Sequence, residues 1–302
     1  MADMTQTREP REWRFTKGHG TENDFVLLPD VDARLDLGEE LVRRLADRHA
    51  GIGGDGVIRV VPTASSDDEF VRAQADRAAW FMDYRNADGS VAEMCGNGTR
   101  VFATYLRREG LETDDEFAIA TRGGIKGIRF EGDLVATNMG PWRLAEPSTA
   151  EADGFDALVQ LRSDGVDDEP WSALSVDMGN PHTVVALPES VDLAALDLFH
   201  APQVRPVPPR GTNVEFVRVL GDGHIAMRVH ERGVGETRSC GTGVCAAALA
   251  TSFWAGHDEP TQDWTVDVLG GRLRVRGLLN HEVELAGPAA LVADGVIDLS
   301  TL

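Results

Sequence analysis

Met94-Cys95-Gly96-Asn97-Gly98-Thr99 and Ser239-Cys240-Gly241-Thr242-Gly243 are two copies of one pattern, Cys-Gly-x-Gly, each set just before a helical run. After Cys95, the apolar residues Val101, Phe102, Tyr105 and Leu106 share a face until Gly110 stops the periodicity. After Cys240, Val244-Cys245-Ala246-Ala247-Ala248-Leu249-Ala250 runs on to Phe253 and Trp254 and is apolar nearly all round, which predicts a buried central helix. Each copy follows a strand and a polar loop: 80–84 then 85–93, and 225–229 then 230–238. The cysteines lie 145 positions apart (240 − 95), about half the chain. Two similar halves are therefore expected, each giving one cysteine to a shared site, with the link running through the irregular stretch 141–168.

Outward from these motifs the chain reads as short strands with turn punctuation, at 25–28, 56–61, 79–84, 117–121, 175–178 and 215–220. Hairpin signals stand at Gly123-Gly124, Gly132-Asp133, Gly221-Asp222-Gly223 and Gly270-Gly271. A further helix is expected over 39–49, with Leu41, Val42, Leu45 and Ala46 on one face. Gly51-Ile52-Gly53-Gly54-Asp55-Gly56 matches the dinucleotide pattern G-x-G-x-x-G, but that motif must follow a strand and open a helix. Here a helix precedes and a strand follows, so it reads as a helix-to-strand turn.

The 302 residues suffice for one large or two ordinary domains with a buried core. A net charge of −21 argues against a polyanionic partner, because phosphate contacts need clustered Lys and Arg. No apolar run approaches a membrane span, and the polar start over 1–14 has no apolar signal segment. A cytoplasmic protein that binds neither nucleic acid nor membrane is expected. Three cysteines without scaffold spacing fit free thiols in a reducing compartment. Lys17 and Lys126 are the whole lysine complement, leaving few candidates for a pyridoxal Schiff base.

A cysteine at a helix N-terminus faces unpaired N–H groups and the positive end of the helix dipole, and both favour the thiolate. The flanking glycines let backbone amides approach a ligand, and amides at two helix starts would hold a carboxylate and the charge left when its α-proton departs. Inverting a stereocentre needs a proton taken from one face and one returned to the other. Two matched acid–base groups, one thiolate and one thiol, do this without cofactor or metal and titrate as a coupled pair. Cys245, five residues beyond Cys240 in the Ala-rich run, reads as core. Asn180-Pro181-His182, Asn213 and Glu231-Arg232 are candidate ligands for carboxylate and ammonium groups.

The chain resembles the diaminopimelate epimerase family. The match runs through Lys17-Gly18-His19-Gly20 to Asn23-Asp24-Phe25, Gly51-Ile52-Gly53 to Asp55-Gly56, and Asn86-Ala87-Asp88-Gly89-Ser90. It continues through the Cys95 block to Arg100, Met178-Gly179-Asn180-Pro181-His182, Asn213, Glu231-Arg232-Gly233 to Gly235-Glu236-Thr237, and the Cys240 block. The resemblance implies an α+β (α/β) fold of two pseudo-symmetric halves, each with strands wrapped around a central helix. The halves are expected at 1–138 and 139–289, with a strand in 290–302 returning to the first. The implied reaction is L,L-diaminopimelate to the meso form, with Cys95 and Cys240 as the bases and no cofactor. His182 is implied near Cys95 and Glu231 near Cys240. The reacting carboxylate would rest on amides around Gly96, Asn97, Gly241 and Thr242. Asn23, Asn86, Asn180, Asn213 and Arg232 would hold the other amine and carboxylate groups, and a homodimer is expected. Gly56 stands where many relatives carry Gln, which puts that one contact in question.

Proline and hydroxyproline racemases share the fold and the two cysteines, but their first motif resembles Cys-Gly-His-Gly, and here Asn97 takes the His place. A thiol-redox or metal protein would need Cys240 and Cys245 on one side of the helix; their spacing of five puts them roughly 140° apart. An amino-acid-binding protein without activity is the remaining alternative.

Overall fold

The computed structural model describes residues 12–163, 166–167, 169–256 and 262–302. Most of the polar start therefore lies outside the described residues. Contacts divide the chain into two compact units, 1–20 with 24–131 and 289–302, and 21–23 with 132–288.

In the first unit, β1 (Glu12–Gly20), β2 (Asn23–Pro29), β3 (Gly56–Pro62) and β4 (Trp80–Asn86) form a sheet whose outer neighbour beyond β1 is the C-terminal strand Ala290–Asp298. β2 and β3 run parallel, joined by α1 (Glu39–Ala46); β3 and β4 run antiparallel. α1 buries Val42, Leu45 and Ala46 against Trp13, Val26, Leu28 and Val57. It stops three residues short of the expected end because Asp47 Oδ1 accepts the amides of His49 and Ala50, a local turn that competes with the helix. Gly53, at φ +83°, then turns the chain into β3, so the glycine run is a helix-to-strand turn. A short helix, α2 (Glu69–Arg72), precedes β4. After β4 come α3 (Gly96–Arg108), β5 (Glu116–Ile119) and β6 (Lys126–Glu131), and β5 and β6 pair through the Gly123-Gly124 turn. A parallel bridge, Phe81 to Ala120, closes the β4–α3–β5 crossover.

The second unit contains β7 (Leu134–Pro141), β8 (Arg143–Leu144), α4 (Pro147–Asp153), β9 (Ala157–Gln160), the short pair β10 (Arg162–Ser163) and β11 (Val166–Asp167), and β12 (Trp171–Asp177). The stretch read as irregular thus carries ordered elements. Pro147 opens α4 in its first turn, Gly154 at φ +78° ends it, and β8 and β9 both pair with β12. Then follow β13 (Pro181–Ala186), β14 (Gln203–Arg205), β15 (Asn213–Gly221), β16 (His224–Glu231) and β17 (Gly235–Thr237). The chain continues with α5 (Gly241–Trp254), β18 (Asp263–Val268), β19 (Gly271–Gly277) and β20 (Glu282–Gly287). The strand order is β14-β9-β12-β13-β15-β16-β18-β19-β20-β7. α5 packs on strands from β12 round to β20, which explains why a helix apolar on every side is stable there.

The two units repeat one wiring. β2 parallel to β3, antiparallel to β4, then a crossover helix to a parallel β5 is matched by β13 parallel to β15, antiparallel to β16, then α5 to a parallel β18. Counting back nine residues from each cysteine makes Asn86 and Glu231 counterparts. The registers then pair Ile58 with Glu215 and Phe25 with His182 as counterparts.

Candidate active site

Each cysteine is the N-cap of its helix, in extended backbone: Cys95 at φ −140° and ψ 119°, Cys240 at φ −117° and ψ 111°. The first helical carbonyl bond follows at once, from Thr99 N to Cys95 O at 2.8 Å and from Val244 N to Cys240 O at 2.9 Å. Both thiols are reduced, and Cys245 is buried in the apolar body of α5 as core.

In the first unit, Cys95 is half-buried and Gly98 lies over Ile58 and Phe25. Asn97 is buried and accepts from Arg100 Nη2 at 2.9 Å, so the fully buried guanidinium braces the first turn of α3 from inside. Arg100 stands where the repeat has Cys245, and the amphipathic pattern did not single it out. Asn86 accepts from the Tyr84 hydroxyl at 2.8 Å and donates to Ser90 at 3.0 Å. Lys17 is ion-paired with Asp24 and donates to the Gly53 carbonyl. Burial alone would push the Asp24 carboxyl up, but hydrogen bonds from Arg48 and Lys17 hold it well below the usual range.

The second unit gathers the larger set. Cys240 is buried, with its sulfur 3.6 Å from Thr242 Oγ1. A helix start favours the thiolate at both cysteines, but at Cys240 the balance is reversed. Burial pushes this thiol well above its ordinary value, and the carboxylates of Glu231 and Glu215 push the same way, against Thr242 and the Gly243 amide. Glu231 accepts from Thr237 at 2.8 Å. Asn213 ties the start of β13 to the turn after β16, donating to Pro181 O at 3.1 Å and accepting from the Arg232 amide at 2.9 Å. The exposed Arg232 guanidinium donates to Arg210 O. His182 is fully buried, Nδ1 2.7 Å from Glu215 Oε1 and Nε2 3.1 Å from Asn180 Oδ1.

Asn23 is counted with this unit, at the start of β2 just after the Thr21-Glu22 turn. Thr21 and Glu22 there take φ of +49° and +63°, conformations costly for residues with a Cβ. The turn is held because Thr21 donates to Ser239 at 2.8 Å beside Cys240, Glu22 pairs with Arg238, and Gly270 leaves no room for a side chain against Thr21 O. Glu215 and this turn carry no role in the sequence reading, and Ser239 enters it only as part of the Cys240 motif; the only hint at Glu215 was a carboxylate inside a strongly apolar strand.

A model of the diaminopimelate epimerase family matches residues 15–145 and 174–292. The chain belongs to the diaminopimelate epimerase family. It is 47% identical to the diaminopimelate epimerase of Streptomyces coelicolor, covering 95% of this chain and 96% of that one. It is 46% identical to that of Thermobifida fusca, over 96% and 99% of the two chains. The fold is that of a Bacillus anthracis phenazine biosynthesis protein of the PhzF family (TM-score 0.66, 16% identity, 95% and 99% covered). It is equally that of a hydroxyproline epimerase from Agrobacterium vitis (TM-score 0.64, 15% identity, 95% and 93% covered). No described helix is long and apolar enough to cross a membrane.

Proposed function

We propose that the chain epimerises L,L-diaminopimelate to the meso isomer without pyridoxal, using Cys95 and Cys240 as the two bases. The observation that supports this most is the pair of cysteines at the N-caps of helices wired alike in the two units. In the direction that begins with Cys95 as thiolate, its sulfur takes the α-proton. The electron pair left on carbon spreads into the carboxylate, which rests on amides near Gly96, Asn97, Gly241 and Thr242. The Cys240 S–H bond then breaks, its proton goes to the opposite face of carbon, and the enzyme is left with the thiol and thiolate exchanged. The raised Cys240 thiol fits the acid role in this direction. Asn23, Asn86, Asn180, Asn213 and Arg232 hold the remaining amine and carboxylate groups, and Glu231 and His182 bias the protonation of the thiols. The chain is further read as a cytoplasmic homodimer, which light scattering on the pure protein tests.

Proton NMR of L,L-diaminopimelate with reduced protein in D₂O tests the reaction. The α-proton signal is expected to vanish as the meso isomer appears, and Cys95→Ala and Cys240→Ala each to lose epimerisation. No exchange by the wild-type protein would refute the substrate, and exchange of proline or hydroxyproline in the same tube would replace it.

A further inference from the structure

The β16–β17 hairpin is locked differently on its two faces. In its register Val229 stands opposite Thr237, His230 opposite Glu236 and Glu231 opposite Gly235. Side chains two apart on a strand share a face and reach the diagonal neighbour across the pair. On one face Arg228 crosses to Glu236 with bonds of 2.6 and 3.0 Å. The same guanidinium donates to the carbonyls of Leu193, Ala194 and Leu196, which fixes that face to the segment 193–196. On the other face Gly235 offers no side chain opposite Glu231. The diagonal Thr237 reaches it instead, Oγ1 donating to Glu231 Oε2 at 2.8 Å. Thr237 lies three residues before Cys240, and the Glu231 charge is one of those that push this thiol up.

We propose that Thr237 is a positioning residue whose hydroxyl holds the Glu231 carboxylate toward Cys240. For the reaction this deepens the two-base reading and rests on it; for the thiol it stands on the hairpin alone. A hydroxyl that donates to a carboxylate favours its ionised form and narrows its choice of rotamer. Loss of that donor acts twice in one direction: charge at Glu231 becomes less favoured, and the carboxylate is freer to turn to water. Both changes weaken the repulsion of a thiolate, so Cys240 ionises more readily. The other groups around this sulfur keep their partners. Glu215 approaches from β15, with Oε1 2.7 Å from His182 Nδ1 and Oε2 without a hydrogen-bond partner among the described residues. Thr242 and the Gly243 amide favour the thiolate from α5. Arg238 pairs with Glu22, Arg232 donates to Arg210 O, and His230 is turned to Leu198 O on the far face.

The rate at which iodoacetamide labels Cys240 near pH 8, read by peptide mass spectrometry, follows its thiolate and needs no substrate. Glu231→Gln should lower the thiol by about one pH unit; after the accompanying fall in nucleophilicity, labelling is about threefold faster. Thr237→Val should act in the same direction, about twofold, and Thr237→Ser, which keeps the hydroxyl, should label at the wild-type rate. In the double variant Thr237→Val should add nothing to Glu231→Gln, because its effect passes through that carboxylate. A Thr237 that merely supports the hairpin would speed labelling equally in both backgrounds, and that result overturns the proposal. Equal rates in all the proteins, slower labelling of Thr237→Val, or a serine variant that behaves like valine overturn it as well. Thr237→Ala gives the same reading should the valine variant fail to fold. The expected pattern in a protein that does not epimerise diaminopimelate would refute the substrate alone and leave the role of Thr237 standing.

Discussion

The turns at Cys95 and Cys240 share motif, backbone and wiring, yet they rest on opposite chemistry. Beneath Gly98 the neighbours are Ile58 and Phe25, two apolar side chains. Beneath Gly243 the counterparts are Glu215 and His182, a buried pair joined at 2.7 Å. The sulfurs differ accordingly: Cys95 is half-buried, whereas Cys240 is buried between carboxylates and held as thiol. A helix N-terminus contributes the same modest stabilisation of a thiolate in both copies. What separates them is supplied by strands 25 residues upstream (Glu215) and 9 residues upstream (Glu231) of Cys240. The lesson is that a repeated motif sets geometry, and the strands under it set what surrounds each sulfur.

The strongest way to break this comparison is to rebuild the second floor in the image of the first. His182→Phe alone leaves Glu215 as a buried carboxylate with no partner at either oxygen, and should cost about 3–5 kcal/mol of unfolding free energy. His182→Phe with Glu215→Ile removes the whole pair, and should recover most of that loss or exceed wild-type stability by about 1–4 kcal/mol while epimerisation falls. Urea denaturation of the three proteins measures the cycle. If the double variant is no more stable than the single one, the pair is not self-contained and the equivalence with Phe25 and Ile58 fails.

A smaller effect comes from matched glycines. A Cβ at Gly243 would press on Glu215 Oε1 at 2.7 Å, whereas one at Gly98 would meet only Ile58 at 3.3 Å and Cys95 and Phe25 at 3.5 Å. Alanine gains about 1 kcal/mol in helix propensity at either site. Gly243→Ala should therefore destabilise by about 1–3 kcal/mol net, through displacement of Glu215, and lose activity. Gly98→Ala should stay within about 1 kcal/mol of wild type, so equal melting shifts would contradict the asymmetry.

Much of this was legible from sequence, and the part that was not has a physical cause. The helix starts at Cys95 and Cys240 were readable because Cys-Gly-x-Gly and the following periodicity are local, and the hairpin at Gly221-Asp222-Gly223 was readable for the same reason. Glu215 was hidden because strand alternation assigns Asn213-Val214-Glu215-Phe216-Val217 one apolar face and one wet face. In the fold Val214 and Phe216 enter a core with Val185 and Leu198, while Glu215 faces α5, so both faces are buried and period two says nothing about solvent. The equivalence of Phe25 with His182 was equally invisible, because counterparts in a diverged repeat share a backbone position and no chemistry. The Thr21-Glu22 turn was missed because positive φ at Thr and Glu is imposed by tertiary contacts, not by the residues themselves.

The smallest effect sharpens the comparison by its sign. The Cys240 thiol titrates higher in the fold than its ordinary value of 9.0. Above about pH 9 the unfolded chain releases that proton while the folded chain keeps it, so the associated stability is complete below pH 9 and declines as pH rises. The slope for one proton is about 1.4 kcal/mol per pH unit at most. Tyr105, pushed up to about 12 chiefly by burial, contributes in the same direction and starts from 10.0, one unit later. Replacing Cys240 with Ala should flatten the stability curve between about pH 9 and 10. Denaturation midpoints of the two proteins across that window read the difference directly. No flattening would mean that burial and the two carboxylates do not hold this thiol up, and the contrast with the apolar floor beneath Gly98 would lose its electrostatic half.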